Sequence, residues 1–200
     1  MIDDLVNKQL HEKFENFSKY IPNNISANAI TIMGFFIGIL GVYFIAIKFY
    51  FLGLLLIIIN RFFDGMDGAI ARRDGITSLG GYLDITCDFI FYSAVIFGFA
   101  LAEPKQNSLA ATFLLFSFFG TGTSFLAFAA IEKKHNLFPS ERREKVFFYK
   151  RGIVEGAETI VFYIAVCLFP EYFSIIAIIF GLFCWITVFG RIYSAYFLLR

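Results

Sequence analysis

Charge is scarce in this sequence. Of 200 residues, 16% are Asp, Glu, Lys or Arg, while 58% are hydrophobic; a soluble domain carries about a quarter charged residues. An ordinary soluble domain is thereby excluded. Intrinsic disorder is excluded more firmly, because a chain this apolar and aromatic does not stay solvated. Cysteine is also rare. Cys87, Cys167 and Cys184 are odd in number, widely spaced and set in apolar runs. That pattern argues against a disulfide framework and against a thiolate metal site, leaving buried hydrophobes. The two histidines, His11 and His135, belong to no constellation. No signal peptide is expected, since the first 20 residues carry seven charges and no apolar stretch. There is no internal repeat and no low-complexity segment.

What the sequence has in quantity is aromatic side chains: 29 Phe, 10 Tyr and one Trp, a density that suits a lipid-facing surface. At about 20 apolar residues per span, the length holds roughly five to seven transmembrane helices. Residues 2–20 place Ile2, Leu5, Val6, Leu10, Phe14, Phe17 and Tyr20 at intervals of three or four, which predicts an amphipathic helix lying on the cytoplasmic leaflet. Pro22-Asn23-Asn24 breaks it, and Ser26 can cap the next helix. Apolar runs then predict spans near 28–47, 50–59, 80–102, 108–131, 153–169 and 172–199. The 132–151 connection carries Lys133, Lys134, Arg142, Arg143, Lys145, Lys150 and Arg151, whereas three other connections carry little: Lys48 in one, Glu103 and Lys105 in the next, Glu171 in the last. The positive-inside rule puts that basic loop in the cytoplasm. The expected fold is an all-α integral membrane protein: an interfacial helix over 1–20, then a six-helix membrane domain over 21–200, with both termini cytoplasmic. Gly34 and Gly38 form a GxxxG, and Gly120 to Ser124 is small-xxx-small; both read as close helix packing, within or between chains.

The chemistry concentrates in 60–92, NRFFDGMDGAIARRDGITSLGGYLDITCDFIFY. Asp64, Asp67, Gly68, Ala71 and Arg72 fall on one helical face, and Gly80, Asp84 and Asp88 repeat at four-residue intervals on the next helix. A tight connection over 73–79 lets the two faces meet, with almost no basic side chain expected among the four carboxylates. Counting about 21 Å of helix from Tyr50 to Asp64, and about 20 Å from Asp88 to Leu101, puts the acids roughly 10 Å below the cytoplasmic face of a hydrocarbon core about 30 Å thick. Carboxylates at that depth are costly unless paired or metal-bound, so they mark function. Four all-oxygen ligands that repel one another call for Mg²⁺ or Mn²⁺ rather than zinc. A cation pathway in a non-enzymatic transporter is the rival, opposed by the confinement of the acids to one end of the spans. Glycines at 68, 80 and 81 suggest that something bulky approaches the backbone.

The pattern D64-x2-D-G-x2-A-R72, seven residues, then G80-x3-D84-x3-D88 resembles the signature of the CDP-alcohol phosphotransferases, with all eight fixed positions filled. The resemblance covers the whole chain in length, span number and motif position. It extends to a bacterial inner-membrane branch through GTGTSFLAFA (120–129) and GIVEGAET (152–159). It implies a six-helix phospholipid-biosynthesis enzyme that moves a phosphatidyl or similar group from a CDP-linked donor to an alcohol, releasing CMP. It implies two Mg²⁺ or Mn²⁺ ions on Asp64, Asp67, Asp84 and Asp88, with Asp88 also the general base, and a CDP pocket lined by Gly68, Ala71, Arg72 and Gly80. Family members often open the first span with Pro-Asn-x-x-Thr; here Ala27 replaces the Pro, while Asn28 and Thr31 remain as donors to a phosphate at that helix N-terminus. For Asn28, a plain helix cap is the alternative.

A phosphorylated acceptor needs cations. Arg151, at the mouth of the fifth span, and Arg191, inside the sixth, are the candidates; the other loop cations serve topology and anionic headgroups. Glu155 and Glu158 are further intramembrane acids, expected to pair with Arg151 or Arg191 or to meet acceptor hydroxyls. Glycerol 3-phosphate is the acceptor favoured by analogy, with inositol phosphate or an amino alcohol open. So is the reverse arrangement, a CDP-linked alcohol donor with diacylglycerol as acceptor. The partners expected are these substrates and membrane lipids, with no nucleic acid. The glycine-rich spans leave room for a homodimer. The expected location is the cell inner membrane, multi-pass, with the active site facing the cytoplasm.

Overall fold

The computed structural model describes residues 13–22, 24–135 and 152–198. The first part of the interfacial helix, most of the basic loop and Arg151 lie outside them. The described residues form helices joined by short turns, with no strand among them. A short helical segment at 13–18 is followed by α1 (Ala27–Ala46), α2 (Tyr50–Asp74), α3 (Ser78–Ala102), α4 (Pro104–His135), α5 (Gly156–Leu168) and α6 (Phe173–Leu198), with a 3₁₀ turn at Pro170–Tyr172 before α6.

Among the described residues, four segments are long and apolar enough to cross a membrane: Ala27–Ala46, Ser78–Ala102, Pro104–Ile131 and Pro170–Phe197. Two of the expected six spans differ from these for identifiable reasons. The apolar run ends at Ile59, but the helix that holds it continues through the carboxylate motif to Asp74 as one 25-residue element, so its second half is charged. α5 has only 13 residues, about 20 Å of helix, because Glu155 and Glu158 start it late. The Glu155 side chain accepts from the Glu158 N–H and the Glu158 side chain accepts from the Glu155 N–H at 2.9 Å, closing a capping box; Glu155 Oε1 also accepts from the Gly152 N–H at 2.8 Å. These two acids thus serve the helix terminus, while Arg151, one of their expected partners, lies outside the described residues.

The chain divides into two compact units, Met1–Gly98 and Phe99–Arg200. In the first, α1 lies against α2 along its glycines. A Cβ on Gly34 would fall 2.7 Å from the Phe63 Cβ, and one on Gly38 would fall 2.7 Å from the Phe91 ring. The GxxxG therefore serves packing within the chain. Ile45, Ile57, Phe91, Val95 and Ile96 are fully buried there. Ser26 caps α1, its hydroxyl accepting from the Ala29 N–H at 3.3 Å. The segment before it closes over the end of α2: Phe14 and Phe17 pack on Phe62, and Arg73 Nη1 donates to the carbonyls of Ser18 and Ile21.

In the second unit, Phe99 stacks on Phe173 at 4.7 Å and Phe162 on Phe180 at 4.6 Å. Gly120, from the small-xxx-small stretch, lies against Val188 and Trp185. Buried Asn107 donates to the Phe99 carbonyl and accepts from Ser174, so its polar atoms are satisfied inside an apolar layer. Many large apolar residues remain outside, among them Phe36, Phe51, Phe119 and Leu182, an exposure that a bilayer accommodates and water does not. Cys167 and Cys184 are buried, Cys87 is half-buried, and all three are free.

Candidate active site

The first unit carries the four acids on two helices joined by only three residues. α2 ends at Asp74, Gly75 turns the chain at φ 112°, and Ser78 opens α3. That backbone conformation is one that side-chain-bearing residues rarely adopt. The Thr77 hydroxyl accepts from the Gly80 N–H at 3.0 Å and caps the new helix. The turn sets the Asp64–Asp67 face of α2 against the Asp84–Asp88 face of α3. One carboxylate oxygen each from Asp64, Asp84 and Asp88 lies within 4.8 Å of the others. Asp67 lines the same pocket, and the Thr31 hydroxyl of α1 donates to its Oδ2 at 2.5 Å.

Two hollows meet at these acids. The outer one is a cleft of about 530 Å³, and Asn28, Thr31, Gly68, Ala71, Arg72 and Gly80 all line it together with Asp64, Asp67 and Asp84. The inner one is a narrow pocket holding Thr31, Asn60, Arg61, Cys87 and all four acids. Every residue the signature assigns to CDP thus shares one cleft floored by three of the acids. Asn28 does not cap α1, a place Ser26 takes; its Oδ1 lies 3.1 Å from where a Cβ on Gly80 would sit. Arg72 Nε meets Glu15 Oε1 at 3.3 Å, so the segment before α1 reaches the cleft's rim. Arg191 belongs to the second unit. Its Nη1 donates to the Thr121 carbonyl at 3.0 Å, its guanidinium lies 5.6 Å from the Phe125 ring, and its buried Nε has no hydrogen-bond partner among the described residues.

The expectation of a cluster almost free of basic side chains is wrong. Arg61, one turn before Asp64, enters it. Its Nη2 pairs with Asp88 Oδ1 at 2.8 Å, its Nη1 lies 3.5 Å from Asp64 Oδ2 and donates to the Tyr92 hydroxyl at 2.9 Å, and its Nε donates to Asn60 Oδ1 at 2.8 Å. Tyr92 in turn donates to Asp88 Oδ2 at 3.3 Å. The signal was present in the spacing: Arg61 precedes Asp64 by three and Tyr92 follows Asp88 by four, so each shares its neighbour's face.

The donor set fits hard divalent cations. Three carboxylate oxygens within 4.8 Å repel one another, one arginine offsets only part of that charge, and oxygen ligands of this kind select Mg²⁺, Ca²⁺ or Mn²⁺.

A helical membrane scaffold with a polar cleft over clustered aspartates defines a class, and the sequence comparison identifies it. Residues 24–193 match the CDP-alcohol phosphatidyltransferase family; the chain belongs to that family and is a membrane transferase. Among relatives, inner membrane protein YnjF of Escherichia coli (strain K12) is 48% identical over 176 residues, 88% of this chain and 85% of that one. The archaetidylinositol phosphate synthase of Pyrococcus horikoshii is 31% identical over 98 residues, 48% of this chain and 52% of its own. The fold is that of Mycobacterium tuberculosis phosphatidylinositol phosphate synthase (PgsA1). Its structure with CDP-DAG bound aligns with a TM-score of 0.73 at 20% identity, over 92% of this chain and 93% of that one. Its complex with manganese and citrate aligns at 0.68 and 21%, over 86% and 83%.

Proposed function

We propose that this enzyme transfers the phosphatidyl group of CDP-diacylglycerol to a small phosphorylated alcohol, releasing CMP, from the cytoplasmic side of the inner membrane. The observation that carries this reading is the single cleft in which Asn28, Thr31, Gly68, Ala71, Arg72 and Gly80 lie beside Asp64, Asp67 and Asp84. Its volume suits a small-molecule site. Arg72 and the N-terminal turn of α1 would hold the donor's phosphates, as a guanidinium and free backbone N–H groups do. Glycine at 80 leaves room for the nucleotide to approach the backbone.

Asp64, Asp67, Asp84 and Asp88 would hold two divalent cations, which, when bound, supply neutralisation of the pyrophosphate and of charge on the attacking and leaving oxygens. The acceptor hydroxyl oxygen forms a bond to the β-phosphorus. The bond from that phosphorus to the bridging oxygen breaks, and its electron pair departs with CMP. The hydroxyl proton passes to the Asp88 carboxylate, which acts as general base. Arg151 and Arg191 are proposed to bind the acceptor's phosphate. An intramembrane arginine with an unpartnered Nε suits that role, and a phosphorylated polyol is also the acceptor class implied by the names of the inositol phosphate synthases above. Glycerol 3-phosphate and inositol phosphate are the two to compare.

The test is CMP release by purified protein in lipid micelles with CDP-diacylglycerol, Mn²⁺ or Mg²⁺ and a panel of acceptors, run beside Asp88→Asn. Metal-dependent release with one acceptor, lowered by a factor of about 10² to 10⁴ in the variant, is expected. Release only when a CDP-linked alcohol is paired with diacylglycerol would reverse the donor assignment. Failure to bind CMP or CDP-diacylglycerol would overturn the reading.

A further inference from the structure

Arg61 is the residue at this site that the motif does not name. Its contacts use every edge of the guanidinium: Asp88 on one nitrogen, Tyr92 and Asp64 on the second, Asn60 on the third. Its Cζ lies 4.9 Å from the Phe91 ring centre and 5.2 Å from that of Tyr92. Asn60 is itself anchored, donating to the Gly34 carbonyl of α1 at 2.9 Å. The side chain is 15% exposed and opens into the same inner pocket as the four acids. An arginine so enclosed is a fixed charge, since guanidinium does not deprotonate in proteins.

This has two consequences. Four ionised carboxylates and Arg61 sum to −3 rather than −4, so mobile cations meet a weaker field than the acids alone would make. Asp88 is also held at both oxygens, by Arg61 and by Tyr92, which fixes its rotamer before any substrate arrives. Resting on the metal-dependent transferase reading above, we infer that Arg61 is a built-in cation of this site: a positioning residue that orients Asp88 and weakens the site's hold on divalent ions, leaving them exchangeable and the loaded site positive enough to take a pyrophosphate.

The experiment titrates Mn²⁺ into the purified full-length protein without nucleotide, following free Mn²⁺ by electron paramagnetic resonance, for wild type, Arg61→Gln and Arg61→Lys. CMP release is measured on the same samples. Removing a unit charge from beside a divalent ion in a partly buried site should tighten Mn²⁺ binding about tenfold or more in Arg61→Gln, while kcat falls because Asp88 loses its clamp. Arg61→Lys keeps the charge without the fork, so its Mn²⁺ affinity should stay within about twofold of wild type while kcat still falls. Unchanged or weaker Mn²⁺ binding by folded Arg61→Gln overturns the inference. If that variant does not fold, a Kd shift beyond about tenfold in Arg61→Lys does the same. Wild type that binds Mn²⁺ and releases CMP while both variants match it overturns the role of Arg61 alone. Wild type that does neither removes the transferase reading and this inference with it.

Discussion

Each cleft residue has a separable role. Arg72 is tied to Glu15 at 3.3 Å across a largely exposed pair, an interaction worth little in itself. Replacing it should therefore cost substrate binding and not folding. Arg72→Ala is expected to raise KM for the CDP-linked donor about ten- to a hundredfold, the range for losing a hydrogen bond to a charged group, with the melting temperature nearly unchanged. Gly80 tests the space beside it. A Cβ there would sit 3.0 Å from Thr77 Oγ and 3.1 Å from Asn28 Oδ1, so Gly80→Ala should displace Asn28 by tenths of an ångström. A severalfold rise in KM for the donor at intact stability is the expected result; an unchanged KM would show that Asn28 does not touch the nucleotide. At this scale most of the site was legible, because the four Asp and their glycines recur at three- and four-residue intervals. For Arg61 the spacing gave only the shared face with Asp64; its reach to Asp88, 27 residues on, depends on how α2 and α3 meet.

At the scale of elements, the glycines of α1 and the turns between helices carry the geometry. Phe91 is fully buried, and its ring carbons lie 2.7 and 2.8 Å from where a Cβ on Gly38 would be, with Asn60 Nδ2 at 3.0 Å. Gly38→Ala should overpack this contact and destabilise the first unit by about 1–3 kcal/mol, read as a lower melting temperature in detergent. It should also lower kcat, since Asn60 supports Arg61. The α1–α2 connection offers the opposite prediction. Lys48 holds φ 70°, a left-handed conformation that costs a side-chain-bearing residue about 1–2 kcal/mol. Lys48→Gly is expected to leave turnover unaltered and to raise stability by up to about 1 kcal/mol; a lower melting temperature would show that the lysine side chain contributes more than its backbone strain costs. The periodicity of the apolar runs placed all six described helices. The expected helical face of the acidic motif is likewise found, since α2 runs unbroken from Tyr50 to Asp74.

For the whole molecule, the carboxylates dominate. Removing divalent ions should abolish CMP release, and restoring Mn²⁺ or Mg²⁺ should recover it. The same titration should raise the melting temperature by several degrees, as binding at a hundredfold excess over Kd adds about 2.7 kcal/mol. Asp88→Asn should shrink that thermal gain. Equal stabilisation of wild type and variant would place the ions elsewhere.

Much about this protein is local and could be read without a structure. Its membrane character comes from how little charge the chain carries, and its helices from apolar runs of fixed length. The alignment of Asp64 with Asp67, and of Asp84 with Asp88, is set by 3.6 residues per turn. What tertiary structure decided is everything that depends on helices meeting. Thr31 of α1 donates to Asp67 of α2. Glu155 and Glu158 close a capping box at a helix start. Arg61 crosses from α2 to Asp88 on α3 and turns a cluster of like charges into a partly compensated one. Periodicity tells which residues share a face; only packing tells which face, and which charge, it is turned toward.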